Sequence, residues 1–174
     1  MTDAAKAMTP DFARLYRAYQ DADAGTRALI RRAPALDQLY EDDTALAFYR
    51  LIKPLGYMGR GRDQWGRVVF CLPHVRHAEN GTGLGAALAQ SRKISDRRIF
   101  QVVRAPASQD IMQLRRLLQF CNPVLDWPRA AGSLWYWGDN AKRQLLEDFV
   151  LGAPGEEGAS EERATATSSS DIND

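Results

Sequence analysis

Cysteine and histidine are scarce in this chain, with two of each among 174 residues. Cys71 and Cys121 sit among apolar neighbours in "VVFCLP" and "LLQFCN". They read as buried free thiols of a cytosolic protein, not as a disulfide framework. No apolar run approaches the roughly 18 residues that a membrane-spanning helix needs, and the N-terminal stretch has no apolar signal-peptide core. The expectation is a cytoplasmic protein without membrane contact. Strand signals are thin as well: the Val68-Val69-Phe70 run finds no second strand to pair with. The middle of the chain is short of acid above all. From Arg50 to Arg116, thirteen arginines and lysines face only Asp63, Glu79, Asp96 and Asp110, an excess of nine positive charges.

Groupings that could carry catalysis are also wanting. Cys71, His74 and His77 have spacings that could hold a metal, but a fourth ligand is absent and Pro73 interrupts the run. "GTGLG" lacks the following Lys-Ser/Thr and the preceding strand of a phosphate loop, so it reads as a flexible loop. Glu147 and Asp148 are adjacent and point apart on a helix, which makes a poor acid/base pair. The expectation is a protein that is not an enzyme and has no metal, no cofactor and no small-molecule substrate.

What is present is helical. Phe12, Leu15, Tyr16 and Tyr19 form one stripe at helical spacing. "GTRALIRRA" ends at Pro34, and "TALAFYRLIKPLG" offers Thr44 as an N-cap and stops before Pro54. "YMGRGRDQ" reads as a glycine-arginine loop, "WGRVVFCLPHVRHA" as a helix and "GTGLGAALAQSRK" as a loop entering one. Two further helices start at Ser95 and Ser108, the second ending at Asn122-Pro123, and "DWPRAAGSLWYWG" and "NAKRQLLEDFVLG" close the fold. The spacing predicts an all-α protein with connections short enough for antiparallel bundles, and the length allows one domain or two small bundles sharing a core. One domain is expected over residues 1–151, with the sub-bundles dividing near 80–95. After Leu151 the chain turns to Gly, Ala, Ser, Thr and Glu with a net charge of −5, leaving +6 on the rest. Residues 152–174 read as a disordered acidic tail.

The basic residues are sorted by helical phase. In "SDRRIFQVVRA", Ile99, Val102 and Val103 share one arc, Arg97, Gln101 and Arg104 line the opposite arc, and Arg98 flanks it. In the next helix Ile111, Leu114, Leu117, Leu118 and Cys121 form the buried stripe, with Arg115 at its border and Arg116 pointing away. Like charges three or four apart cost a few tenths of a kcal/mol per pair, which fits a polyanion as the missing partner. The alternative is an ordinary surface whose arginines pair with Glu41, Asp42, Asp43, Glu147 and Asp148. Arg60 and Arg62 in the glycine-arginine loop could also meet phosphates, and Trp65 either stacks on a base or belongs to the core.

Several segments together resemble the CasB family, the small subunit of the type I-E CRISPR surveillance complex, Cascade. They are "AFYRLIKPLG", "VVFCLPHVRH", "GLGAALAQSRKISDRRIFQVVRA", "MQLRRLLQFCNPVLDWP" and "AKRQLLEDFVL". The resemblance runs from about Leu15 to Leu151 and is densest from Phe48 onward. It implies an all-α fold of two small helical bundles packed together and a non-catalytic role, stabilising the crRNA–target heteroduplex and holding the displaced DNA strand of the R-loop on a basic surface. It implies as partners the CasC backbone, CasA, CasE and a second copy of the chain. Within the matching motifs fall Arg31, Arg32, Arg50, Arg97, Arg98, Arg104, Arg115, Arg116, Lys142 and Arg143, which are the candidate nucleic-acid contacts. Two other functions stay open. One is a structural scaffold docking through its arginines, and the other is a general single-stranded nucleic-acid-binding module.

Overall fold

The computed structural model describes residues 9–153. Of the expected acidic tail, Gly152 closes the last helix and Ala153 follows it; the remainder lies outside the described residues. Among the described residues there are nine α-helices: α1 (Phe12–Asp21), α2 (Ala24–Arg32), α3 (Asp42–Ile52), α4 (Arg62–Cys71), α5 (Leu84–Gln90), α6 (Asp96–Arg104), α7 (Gln109–Cys121), α8 (Trp127–Trp135) and α9 (Asp139–Gly152).

Local chemistry sets many of the helix ends. Asp11, Asp23 and Asp126 cap α1, α2 and α8, each side chain accepting a hydrogen bond from the backbone N–H three residues on. Asn122 ends α7 in the left-handed region, with φ 42°, and Pro123 follows. Ser95 and Ser108 stand at the N-cap positions of α6 and α7, but neither side chain bonds the helix. Thr44 is not a cap. α3 starts two residues earlier at Asp42, so Thr44 lies inside its first turn and Asp42 and Asp43 provide the negative charge there. α4 also starts early, at Arg62 behind Gly61 (φ +73°), which takes the last three residues of the expected loop into the helix.

The helices fall into two packed groups. α1, α2, α3, α4 and α8 pack among themselves, and α5, α6, α7 and α9 form the other set. α8 comes late in the chain yet rests on α1 and α4. A single cut near 80–95 therefore leaves α8 on the far side of its own neighbours. Trp127 of α8 is fully buried and donates its indole N–H to the Phe12 carbonyl at 3.0 Å. Trp65 is buried edge-on against Trp135 at 5.3 Å, which settles it as a core residue.

A two-residue parallel ladder, β1 (Arg76–His77) with β2 (Val124–Leu125), joins the chain after α4 to the chain after α7. The sequence reading had no partner for this region because neither strand is long enough to show alternation. The glycines of "GTGLG" serve packing. A Cβ on Gly85 would collide with the Leu145 carbonyl and lie 2.8 Å from Asp148 Cβ, so α5 and α9 cross with backbones in contact. At the same crossing, a Cβ on Gly152 would lie 2.7 Å from Ala86 Cα. Gly85→Ala is expected to lower stability by about 1–3 kcal/mol through overpacking, outweighing the roughly 1 kcal/mol that alanine gains as a helix former. Urea unfolding measures this, and a stabilised variant would contradict the close crossing.

Candidate nucleic-acid interface

α6 carries the sharpest amphipathic pattern of the fold. Ile99 and Val102 are buried, while Arg97, Arg98, Gln101 and Arg104 are exposed. α7 packs beside it and splits its arginine doublet. Arg116 is exposed, on the strip that also carries Gln113 and Phe120, whereas Arg115 turns inward and is 5% exposed. Arg97, Phe100, Gln101, Arg104, Ala105 and Gln113 line one shallow depression of about 430 Å³ between the two helices. Among the described residues the arginines of this face have no acidic partner. The ion pairs among those residues are Lys142–Asp110 and Arg62–Asp63, neither of which includes an α6 arginine. Glu41, Asp42, Asp43, Glu147 and Asp148 pair with none of the arginines there.

Two of the candidate contacts belong to the interior. Arg115 donates from Nε to His74 Nε2 at 3.2 Å and from Nη2 to the Arg31 carbonyl at 2.9 Å, with its guanidinium 4.1 Å from the Phe70 ring centre. Lys142 Nζ lies 2.7 Å from Asp110 Oδ2 and donates to the Ala105 carbonyl at 2.9 Å. Both cations are thus held by partners inside the protein.

Further basic residues hold helix ends together. Arg31 donates to the Pro73 carbonyl at 3.1 Å and Arg76 to the Asn122 carbonyl at 3.3 Å. Arg67 spans the end of α8, reaching the Leu134 and Trp135 carbonyls at 3.0 and 2.9 Å. With Arg115 and Lys142, these cations satisfy carbonyls that helix C-termini and turns leave without partners, where positive charge is favoured. Part of the arginine excess in the sequence is thus structural.

The other candidates are exposed. Arg31 and Arg32 line a second open depression with His74, Arg115 and Gln119, on the α2 side of α7. Arg50 on α3 and Arg143 on α9 are exposed and line neither depression. Arg62 lies over the Tyr40 ring at 4.8 Å and pairs with Asp63 at 3.7 Å, while Arg60 is exposed. The Cys71, His74 and His77 trio does not converge on a metal. His74 Nε2 accepts from Arg115 and His77 Nδ1 accepts from the Trp127 N–H at 3.1 Å. Burial pushes the Cys71 thiol up to about 12, keeping it protonated. Burial first, then Arg115 and Arg31, pushes His74 down to about 4, keeping it neutral and able to accept. Among the described residues no group of three or more His, Cys, Asp and Glu could hold a metal ion.

No family model matches the chain. A curated relative does. The CRISPR system Cascade subunit CasB of Escherichia coli (strain K12) is 45% identical over 152 residues, covering 81% of this chain and 93% of that protein. The chain belongs to the CasB family. The CasB likeness extends to three dimensions. A chain of the crystal structure of E. coli Cascade bound to a PAM-containing dsDNA target superposes with a TM-score of 0.77 at 46% identity. That match covers 83% of this chain and 97% of the other. On this CasB scaffold the sequence reading passed over two residues of the α6–α7 face. Phe100 and Phe120 are 40% and 55% exposed, with Arg104 and Arg98 over their rings at 5.2 and 5.0 Å. Helical phase alone could have found Phe120, which stands opposite the buried stripe of α7.

Proposed function

We propose that this CasB protein works as a non-catalytic subunit of a type I-E Cascade, and that its α6–α7 face tracks the phosphates of the displaced DNA strand. One observation carries the reading: Arg97, Arg98, Arg104 and Arg116 are exposed on adjoining helices with no acid of the described chain to neutralise them. R-loop formation exchanges one duplex for another of similar stability, about 1.4 kcal/mol per stacked step. Neutralising a few phosphates on the displaced strand, beside a crRNA–target heteroduplex held in the complex, tips that balance without any bond being made or broken. Guanidinium groups suit the work because they are weakly hydrated and grip phosphate with two donors. The CasC backbone, CasA, CasE and a second copy of the chain are the protein neighbours in this reading, and Arg31, Arg32, Arg50 and Arg143 are available to them or to nucleic acid.

A salt titration of single-stranded DNA binding tests it. With about four phosphates engaged, log affinity falls against log salt with a slope near −0.7 per phosphate, roughly −3 in all. Alanine at Arg97, Arg98 and Arg104 together flattens that slope while leaving a folded protein, because exposed substitutions typically shift stability by no more than about 0.5 kcal/mol each. The triple variant is expected to enter the complex and to support weaker R-loops. If it fails to co-purify with tagged CasC and guide RNA, these arginines are protein-docking anchors instead.

A further inference from the structure

We propose that Phe100 and Phe120 are stacking platforms for unpaired nucleobases, so that the α6–α7 face holds a single strand by bases as well as by phosphates. The inference rests on the phosphate-track reading and adds a second ligand chemistry to it. Phenylalanine is ordinarily among the buried residues, yet these two side chains are 40% and 55% exposed on helices whose exposed arginines have no acidic partner among the described residues. Each ring has arginine at helical spacing: Arg97 and Arg104 stand three before and four after Phe100, and Arg116 stands four before Phe120. Arg104 and Arg98 place guanidinium groups 5.2 and 5.0 Å from the two ring centres. Phe100 forms part of the depression of about 430 Å³ that Arg97 and Arg104 also line. One side of that depression is therefore apolar and its borders are cationic.

Rings interleaved with cations match a single strand, whose unstacked bases offer flat apolar faces between charged phosphates. A duplex keeps those faces covered by its own stacking and gains nothing from an exposed phenyl ring. A second copy meeting this face through the same face would bring arginines against arginines with no acid between them, which charge complementarity disfavours. The recognition is indifferent to base identity, because every base has such a face.

The test uses the full chain and two single-stranded oligonucleotides of equal length, one ordinary and one carrying abasic sites throughout. Wild-type protein is compared with Phe100→Leu/Phe120→Leu, which keeps apolar bulk and removes the aromatic faces. Thermal unfolding confirms that both proteins are folded. The double variant is expected to bind the ordinary strand about tenfold or more weakly, with an unchanged salt slope, and to bind the abasic strand as wild type does. In wild type, 2-aminopurine placed in the strand is quenched on binding, and the variant relieves that quenching. Equal affinity of both proteins for the ordinary strand overturns the proposal. So does a variant that binds DNA normally but fails to join the complex, which would make the rings protein contacts. A wild-type protein that binds neither strand in a salt-dependent way is the failure of the phosphate track itself.

Discussion

Asp110→Ala is expected to lose about 3–5 kcal/mol of folding stability, because it strands a buried ammonium. Asp110 is 3% exposed and Lys142 7% exposed. Asp110 Oδ2 meets Lys142 Nζ at 2.7 Å, and Asp110 Oδ1 accepts from the Ile111 N–H at 2.7 Å in the first turn of α7. Lys142 also donates to the Ala105 carbonyl just past α6. One pair thus ties the end of α6, the start of α7 and the start of α9. A domain of this size is typically stable by about 5–15 kcal/mol, so the loss removes a large part of the margin. The paired replacement Asp110→Leu with Lys142→Met should recover much of it, since an apolar pair of similar volume avoids the cost of burying charge. Urea midpoints of the three proteins decide the matter. A wild-type midpoint for Asp110→Ala would show that the pair is not a buried joint.

Folding stability should also rise with pH between about 4 and 6.5, with His74 as the cause. Its folded-state value lies at about 4 against 6.5 for the free side chain. In that window the unfolded chain binds a proton that the folded one refuses, so acid favours unfolding. The contribution is fully present above pH 6.5 and is lost as pH falls toward 4, amounting to about 3 kcal/mol across the window at 1.36 kcal/mol per pKa unit. Burial is the main physical reason, and the Arg115 Nε–H, which needs an unprotonated His74 Nε2 to accept it at 3.2 Å, adds to it. His74→Gln keeps an acceptor and does not titrate. Urea midpoints from pH 4.5 to 7.5 should therefore fall less steeply on acidification in the variant than in wild type. Parallel curves would assign the acid sensitivity elsewhere.

The all-α architecture and the α6 ridge were legible because both rest on helical periodicity, which a single segment displays by itself. Helix boundaries were legible where a side chain or proline enforces them, as at Pro34 and Asn122. At Thr44 a plausible cap was overridden by a helix starting at Asp42. The partners of Arg115 and Lys142 were not legible because they are remote in sequence: His74 and the Arg31 carbonyl for one, Asp110 and the Ala105 carbonyl for the other. No local pattern announces such a contact. The position of α8 against α1 and α4 is tertiary information for the same reason. Phe100 escaped notice because a phenylalanine beside Ile99 reads as core until the neighbouring helix is in place.

The basic residues of the chain answer to two different substitution rules. Along the α6–α7 face, on the phosphate-track reading, lysine in place of Arg97, Arg98 or Arg104 keeps the charge, gives up the two-donor grip on the strand and leaves the fold untouched. Arg67 has no such substitute. Its planar fork reaches the Leu134 and Trp135 carbonyls at once, whereas an ammonium on a flexible stem carries its charge at a single point and cannot reproduce that fixed two-donor geometry. Arg115, holding a ring nitrogen with Nε and a carbonyl with Nη2, is bound by the same constraint. An Arg-to-Lys exchange, neutral by charge count, therefore separates residues that hold this protein together from residues that hold something else.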